Sequence, residues 1–462
     1  MIKFCDLVPT IRAGQSRGAE GSRTPTGWNL NPVPLPVGLR PRCCLDRVAR
    51  GVGVASHDVR VAVGGGLTHS DRVSAGAGRG TVRIFGVGLV VGLVALLLGL
   101  VPAAASPPGA SLIFDGPGAY PRVVRLAHSG GFNGRLIASV NSNVDGDGVG
   151  LFFESRDGGR TFQQVGAIAE PDGARGRGQC CGALFELPRR LGVMPPGTLL
   201  WADTTGWEVP PGERHVKQRL WRSIDHGRNW TFLADVALSP NQYNAWEPEI
   251  SMASDGHLVM FWADESDKPL HDQKIVQVRS LDGVRWTDQR DTVTYRDFFV
   301  RPGMPVVRQL LDGTYFMAYE VCNLPEPLCA IYYRTSLDGW DYGDPFSLGT
   351  GVRTADGKYP RHTPSIDVAA SGVVLLVSEM LVNADGSHAS DNGAAILVND
   401  HGGQGPWREI SAPVATPGVN NEGCRNFSPA LLASADGHSV LEISTDLDAG
   451  VCKAYYATGA VT

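Results

Sequence analysis

The sequence predicts an all-β protein, a six-bladed β-propeller of four-stranded blades. Three observations converge on it. A Ser/Asn-x-Asp-Gly-like knot, followed by an aromatic, recurs five times between Ser155 and Trp407, the fifth copy degenerate, and its aspartates Asp157, Asp225, Asp282, Asp338 and Asp400 lie 68, 57, 56 and 62 residues apart. Each repeat also carries two short apolar runs divided by a turn signal. No long amphipathic helical period follows Ser106, and 58 Gly with 31 Pro in 462 residues suit many short strands joined by turns. A period of that size on strand signals marks a radial array.

The chain opens on different material. Residues 1–82 hold ten Arg against one Lys (Lys3) and show no sustained strand or helix period, so they read as a non-native or disordered extension. Residues 83–105 read as an export signal: Arg83, an apolar run that starts at Ile84 and ends at Val101, then Pro102-Ala103-Ala104-Ala105-Ser106. Such signals begin near the start of a chain, which points to Val73 or Val82 as the true initiator. The run is 18 residues long, enough to stay uncleaved as a membrane tether. Residues 106–462 form the propeller, secreted or held outside the membrane, and expected to be monomeric.

Within the propeller each blade starts with an inner strand and a more apolar second strand. The expected pairs are 120–126 with 135–141, 182–187 with 198–203, 248–253 with 257–263, 304–311 with 314–320, 365–370 with 372–379, and 428–433 with 439–446. The last blade then has one further strand signal, near 454–458. Its fourth strand is expected from the other end of the chain, at 111–115, which closes the ring and removes free edges. In each knot Asp caps a tight hairpin and Gly supplies positive φ, so the five aspartates read as structural.

Charge and cysteines narrow the function. Charged residues make up 19% and the net charge is −6, which argues against a nucleic-acid or anionic-surface partner. Six cysteines follow Ser106, an even number that suits disulfides in an exported chain. Cys322 and Cys329 bracket a short loop, Cys424 and Cys452 would staple the last blade, and adjacent Cys180 and Cys181 either form a vicinal bridge or stay reduced. No Cys/His spacing suits zinc, residues 145–148 are too short for a calcium loop, and no metal or cofactor is expected.

Propeller topology brings inner-strand starts and second-strand ends to one mouth of the central channel. The starts carry Arg122, Cys181, Glu247, Arg301, Arg361 and Arg425; the ends carry Asn141, Asp203, Asp264, Glu320, Glu379 and Asp446. Ten of these twelve are charged, which marks a built polar site. Glycoside hydrolysis needs two carboxylic acids flanking one bond. Glu247, in Trp246-Glu247-Pro248, and Glu320, ending an apolar strand of the next blade, fit that need; the plainer reading is pairing with Arg301 or Arg122. Trp201, Trp207, Trp246 and Tyr243 are candidates for stacking on sugar rings. Inserts at 204–217 and 381–392 would stand beside the channel and block one end of it.

The knots resemble the Asp-box of sialidase-type propellers. Trp246-Glu247-Pro248, Arg301-x-Gly303-Met304, the strand ending in Glu320 and Tyr120-Pro121-Arg122 together resemble glycoside hydrolase family 93, over residues 111–462. That resemblance implies a retaining, exo-acting, arabinan-degrading enzyme, with Glu247 as acid/base and Glu320 as nucleophile. It also implies a saccharide partner touched by Tyr120, Arg122, Asp203, Trp246, Arg301, Arg361, Glu379 and Arg425. Two alternatives remain. In an exo-α-sialidase, Arg122, Arg301 and Arg361 would clamp a carboxylate; the place of that family's nucleophilic Tyr, however, reads Arg425-Asn426-Phe427-Ser428, and Phe has no hydroxyl. A non-catalytic carbohydrate-binding propeller is the other. Mass spectrometry of the native protein is expected to find no peptide from residues 13–60.

Overall fold

The computed structural model describes residues 107–144, 147–324 and 327–461. The extension, the export signal and the tether 84–101 lie outside the described residues. Among those described, no helix is long and apolar enough to cross a membrane. Strands dominate and arrange as six blades.

Blades I to III are regular antiparallel four-stranded sheets: Ala119–Arg125, Leu136–Val144, Asp147–Ser155 and Gln163–Ala169; then Gln179–Glu186, Leu199–Thr205, Lys217–Ser223 and Thr231–Leu238; then Ala245–Met252, Leu258–Asp264, Lys274–Ser280 and Thr287–Val293. Blade IV has Arg301–Gln309, Tyr315–Cys322 and Ala330–Ser336, with only Thr350–Gly351 as its outer strand. Blade V has Ser365–Val368, Val374–Val377, Ala395–Asn399 and Arg408–Ser411. The segment leading into it, Tyr359–Arg361, pairs instead with Met380–Val382 and touches blade IV at Ala330.

Blade VI has Ala430–Ala433, Ser439–Asp448 and Val451–Ala460. Its fourth strand is Ser111–Leu112, which pairs with Tyr456 and Tyr455 as the sequence predicts. The amides of Ile113 and Gly118 continue the seam onto the carbonyls of Ala454 and Cys452, at 3.0 and 2.8 Å. The Cys424–Cys452 disulfide ties the same blade, and Cys322–Cys329 and the vicinal Cys180–Cys181 bridge are also formed.

The apolar core is divided among the blade junctions. One cluster, with Leu200, Ile250 and Trp262, lies between blades II and III; others join I to II, III to IV, IV to V, V to VI and VI back to I. The second strands therefore bury both faces, which explains near-continuous apolar runs such as Leu258–Asp264, all seven residues of it buried.

The knots close the hairpin between the third and fourth strands. In blade I the Ser155 hydroxyl accepts from the Gly159 amide at 2.9 Å, and Asp157 Oδ1 accepts from the amides of Arg160 and Thr161 at 3.1 and 2.9 Å. Ser223/Asp225, Ser280/Asp282 and Ser336/Asp338 repeat the arrangement. The fifth copy differs. Asn399 Oδ1 takes the serine's place and accepts from the Gly403 amide at 2.8 Å, while Asp400 points outward to Arg408 at 3.7 Å. The aromatics reach across to the preceding blade: Trp230 stacks on Phe152 at 4.2 Å and Phe162 meets Tyr456 at 4.9 Å.

Two stability predictions follow from this wiring. Asp157 is held ionised, with its pKa lowered to about 2 by the hydrogen bonds from Thr161. Asp157→Ala is expected to cost about 1 kcal/mol, because water competes at the exposed knot, and to lower Tm by about 2 °C with activity unchanged. Glu442, fully buried in blade VI, is pushed from 4.5 up to about 8 by burial, although its Oε2 accepts from the Val414 amide at 2.8 Å. The fold thus favours its neutral form. That contribution is complete below about pH 4.5 and is lost as pH rises through 8. Glu442→Gln should melt higher than wild type at pH 8 and show no gain at pH 4, as read by calorimetry.

Candidate active site

The inner strands do not enter the channel smoothly. In blades I to IV the register slips just after the strand starts, between Ala119/Arg122, Cys180/Ala183, Trp246/Glu249 and Gly303/Val306. Inside each slip sits a non-glycine residue with positive φ: Tyr120 at 48°, Cys181 at 67°, Glu247 at 45° and Met304 at 55°. Blades V and VI have their equivalents just before the strand, at Thr363 (42°) and Ser428 (53°). A bulge of this kind turns one side chain out of the ladder and re-aims it. Residues held in left-handed geometry persist only where the surroundings over-determine them, and they gather at functional sites.

Several of these residues converge. Tyr120, Cys181 and Met304 form one buried cluster, against which Cys180, Trp246 and Phe427 pack. The Tyr120 hydroxyl donates to Met304 Sδ at 3.8 Å, and Phe427 meets the Tyr120 ring edge-on at 5.4 Å. Arg122 donates to the Ser428 hydroxyl at 2.9 Å and to its carbonyl at 3.1 Å. The Ser428 amide in turn donates to Thr363 Oγ1 at 3.0 Å. The mouth is thereby laced across blades I, V and VI.

Glu247 makes no hydrogen bond or ion pair among the described residues. It keeps a partial opening to solvent, yet protein atoms crowd around it. Burial raises its pKa well above the ordinary carboxyl value, the charges of Glu320 and Glu265 add to that, and Arg301 and Arg122 only partly offset it. The expected pairing with Arg301 or Arg122 is thus long-range only. Arg301 is committed elsewhere, to Glu265 at 2.7 Å, to Gln273 at 2.6 Å and to Asp272. Glu320 is held in place: its Oε2 accepts from the Thr363 amide at 2.9 Å and lies 3.4 Å from His362 Nδ1. Two acids of adjacent blades therefore feel each other's charge, one free and disposed to keep its proton, the other fixed.

The remaining predicted residues fall into two groups. Tyr120, Arg122, Trp246, Arg361 and Glu379 lie around the pair: Trp246 donates to Glu265 at 3.3 Å and packs on Trp207 at 5.5 Å, and Glu379 is sensed electrostatically by Tyr120. Asp203 and Arg425 are engaged in other networks. Asp203 is fully buried and accepts from Gln179 at 3.2 Å; burial, and then the like charge of Glu170, raise its pKa well above the ordinary carboxyl value. Arg425 bridges Glu422 at 2.6 Å and Asp446 at 3.2 Å. Trp201 is a correction: it has no exposed surface and packs edge-on to Phe152 at 5.6 Å between blades, so it has no face to offer a sugar. The insert 204–217 does reach the mouth, through Trp207.

Thr363, Ser428, Glu265 and Met304 were not among the expected residues. A usable signal existed. Positions 120, 181, 247, 304, 363 and 428 recur at one point of every blade, so the repeat register that placed Glu247 also places the other five.

The only cluster with metal-like spacing among the described residues is Cys322, Cys329 and His362, and its two thiols are joined as a disulfide, which leaves no thiolate for a metal.

No protein-family profile and no curated protein sequence matches this chain. Solved structures do. It is similar to the α-L-arabinofuranosidase of Fusarium graminearum solved with an iminosugar inhibitor, with TM-score 0.63 and 21% identity over 77% of this chain and 99% of that one. It is similar to the α-L-arabinanase of Penicillium chrysogenum solved with arabinobiose, with TM-score 0.61 and 22% identity over 77% and 99%. A Dyadobacter fermentans protein of unknown function follows, with TM-score 0.51 and 13% identity over 76% and 98%. These likenesses establish the fold.

Proposed function

We propose that the protein is a retaining, exo-acting glycoside hydrolase that removes arabinose units from 1,5-linked α-L-arabinan, with Glu247 as acid/base and Glu320 as nucleophile. The observation that carries the reading is the contrast within the pair. Glu247 is unpaired and its proton is stabilised by burial and by Glu320, as a general acid requires. Glu320 is oriented by the Thr363 amide, as a nucleophile requires. Among the structural neighbours, a glycoside hydrolase family 93 arabinofuranosidase and an arabinanase were both solved with arabinobiose.

The steps follow from these positions. Glu247 protonates the glycosidic oxygen as Glu320 attacks the anomeric carbon, forming a covalent glycosyl-enzyme. Glu247, now ionised, takes a proton from water, whose oxygen displaces Glu320 with a second inversion. Trp246 and Trp207 supply an aromatic wall beside Glu247, and the 204–217 insert that carries Trp207 restricts passage to a chain end. The three disulfides suit an oxidising, extracellular setting. The sialidase reading gains nothing from the site, since Arg301 is bound to Glu265 and Asp272 and Phe427 stands where a Tyr nucleophile would be needed.

Kinetics on aryl α-L-arabinofuranosides test the roles. Glu320→Ala is expected to abolish turnover whatever the leaving group. Glu247→Ala should lose about 10²–10⁴-fold on poor leaving groups and far less on activated ones. Because burial and the charge of Glu320 raise the pKa of Glu247, kcat/KM should fall as pH climbs through that raised value, and Glu247→Gln should erase this alkaline limb. Equal losses in both variants on every leaving group would refute the assignment.

A further inference from the structure

Residues 294–300 carry the chain from the outer strand of blade III to Arg301, where the inner strand of blade IV begins at the mouth. Phe299 stands in this connector and is 65% exposed. Two other phenyl rings, Phe232 and Phe346, are exposed among the described residues, and each has a cation over its face. Arg219 lies 4.3 Å from the Phe232 centroid, and Arg296 lies 5.3 Å from that of Phe346. The one aromatic neighbour of Phe299 is Phe298, steeply inclined to it at 5.1 Å, and no cation covers it. An aromatic face of this size is left to water at the mouth, where burial by a ligand would be favourable.

The ring stands on a fixed base. The Phe299 amide donates to Asp297 Oδ1 at 3.0 Å, and the Val300 amide donates to the Asp297 carbonyl at 3.2 Å. The Phe298 carbonyl accepts from the Asp272 amide at 3.0 Å, and the Phe299 carbonyl accepts from Asn323 Nδ2 at 3.0 Å. Asp272 also holds Arg301, and Asn323 directly follows Tyr315–Cys322, the strand that carries Glu320. The connector is thus tied to both sides of the catalytic pair, and the exposure of Phe299 does not arise from looseness.

Its position suits the part of a substrate that lies outside the reacting ring. Glu320 pairs with Gly303 across the blade IV ladder, and Phe299 lies four residues before Gly303. At about 3.3 Å per residue, no more than about 13 Å of chain separates them. Phe299 precedes the inner strand and so stands outside the ring of residues that the strand entries turn inward. Trp207, packed on Trp246 at 5.5 Å, walls the blade II side, which leaves the side over blades III and IV open. Sugar rings present apolar C–H faces that an aromatic plane can cover. A single phenyl ring offers far less than the roughly 800 Å² per partner of a stable protein interface, so a narrow chain fits it better than a second protein.

We propose that Phe299 is a stacking platform for the saccharide chain on the leaving-group side of the scissile bond, and that it makes the enzyme prefer long chains to short ones. This rests on the glycosidase reading and deepens it by naming the residue that grips the chain. The test compares kcat and KM of wild type, Phe299→Ala and Phe299→Tyr on 4-nitrophenyl α-L-arabinofuranoside and on linear 1,5-arabino-oligosaccharides of increasing length. The loss in Phe299→Ala should grow with the chain, from under about two-fold on the aryl substrate to about ten-fold on the longest. It should lie in KM, with kcat little changed, because the contact is the same in ground and transition states. Phe299→Tyr keeps the aromatic face and should stay within about two-fold of wild type at every length.

Unchanged long-chain kinetics in Phe299→Ala, equal losses at every length, or equal defects in Ala and Tyr would each overturn the platform while leaving the glycosidase reading intact. A change in sedimentation of Phe299→Ala with unchanged kinetics would also overturn it, and would assign the ring to contact between copies. Absence of wild-type turnover on every arabinoside would overturn the arabinan reading and the platform with it.

Discussion

Closure of the ring is the constraint on which the remaining structure depends. Ser111 and Leu112 complete blade VI from the opposite end of the chain, and the Cys424–Cys452 bridge secures the strand they join. Arg122, just inside blade I, then clasps Ser428 of blade VI. Without that seam blade VI would expose an edge and the junction core between VI and I, built around Ile113, Val123 and Ile443, would open. A channel has a defined mouth only when its last wall is fixed. The site is therefore a consequence of closure and not of any single blade.

A second device sets the direction of the site residues. Regular strands alternate their side chains between faces, and both faces here are consumed by blade-to-blade packing. A left-handed residue at the entry of each inner strand, within a bulge in blades I to IV and just before the strand in V and VI, escapes that alternation. Four of those residues, Tyr120, Cys181, Met304 and Ser428, form apolar or neutral lining, Thr363 supplies an amide, and Glu247 supplies the acid. The same backbone irregularity thus produces a ring of six, and side-chain identity decides which member does chemistry.

Electrostatics then separates the acids by surroundings. Burial raises the pKa of both Glu247 and Glu379, and the charge of Glu320 adds to each. Glu320 is fixed on the Thr363 amide, and the Glu247 side chain has no direct partner among the described residues. Arg301, held by Glu265 and Asp272, offsets the raised pKa of Glu247 only in part.

The sequence by itself determined the architecture. Knots whose Ser and Asp oxygens cap backbone amides locally, and apolar second strands that must bury both faces, are short-range and periodic. Blade count, disulfide pairs and the closing strand could therefore be read with shifts of only a few residues. The same register placed Glu247 and Glu320. The positions where reading along the chain failed are those set by neighbours distant in sequence. Trp201 looked like a sugar platform until blade I covered it. Asp400 resembled a cap that Asn399 in fact provides. Which acid keeps its proton, which arginine is free and which side chain a bulge turns inward depend on through-space burial and charge, and only the closed ring decides them.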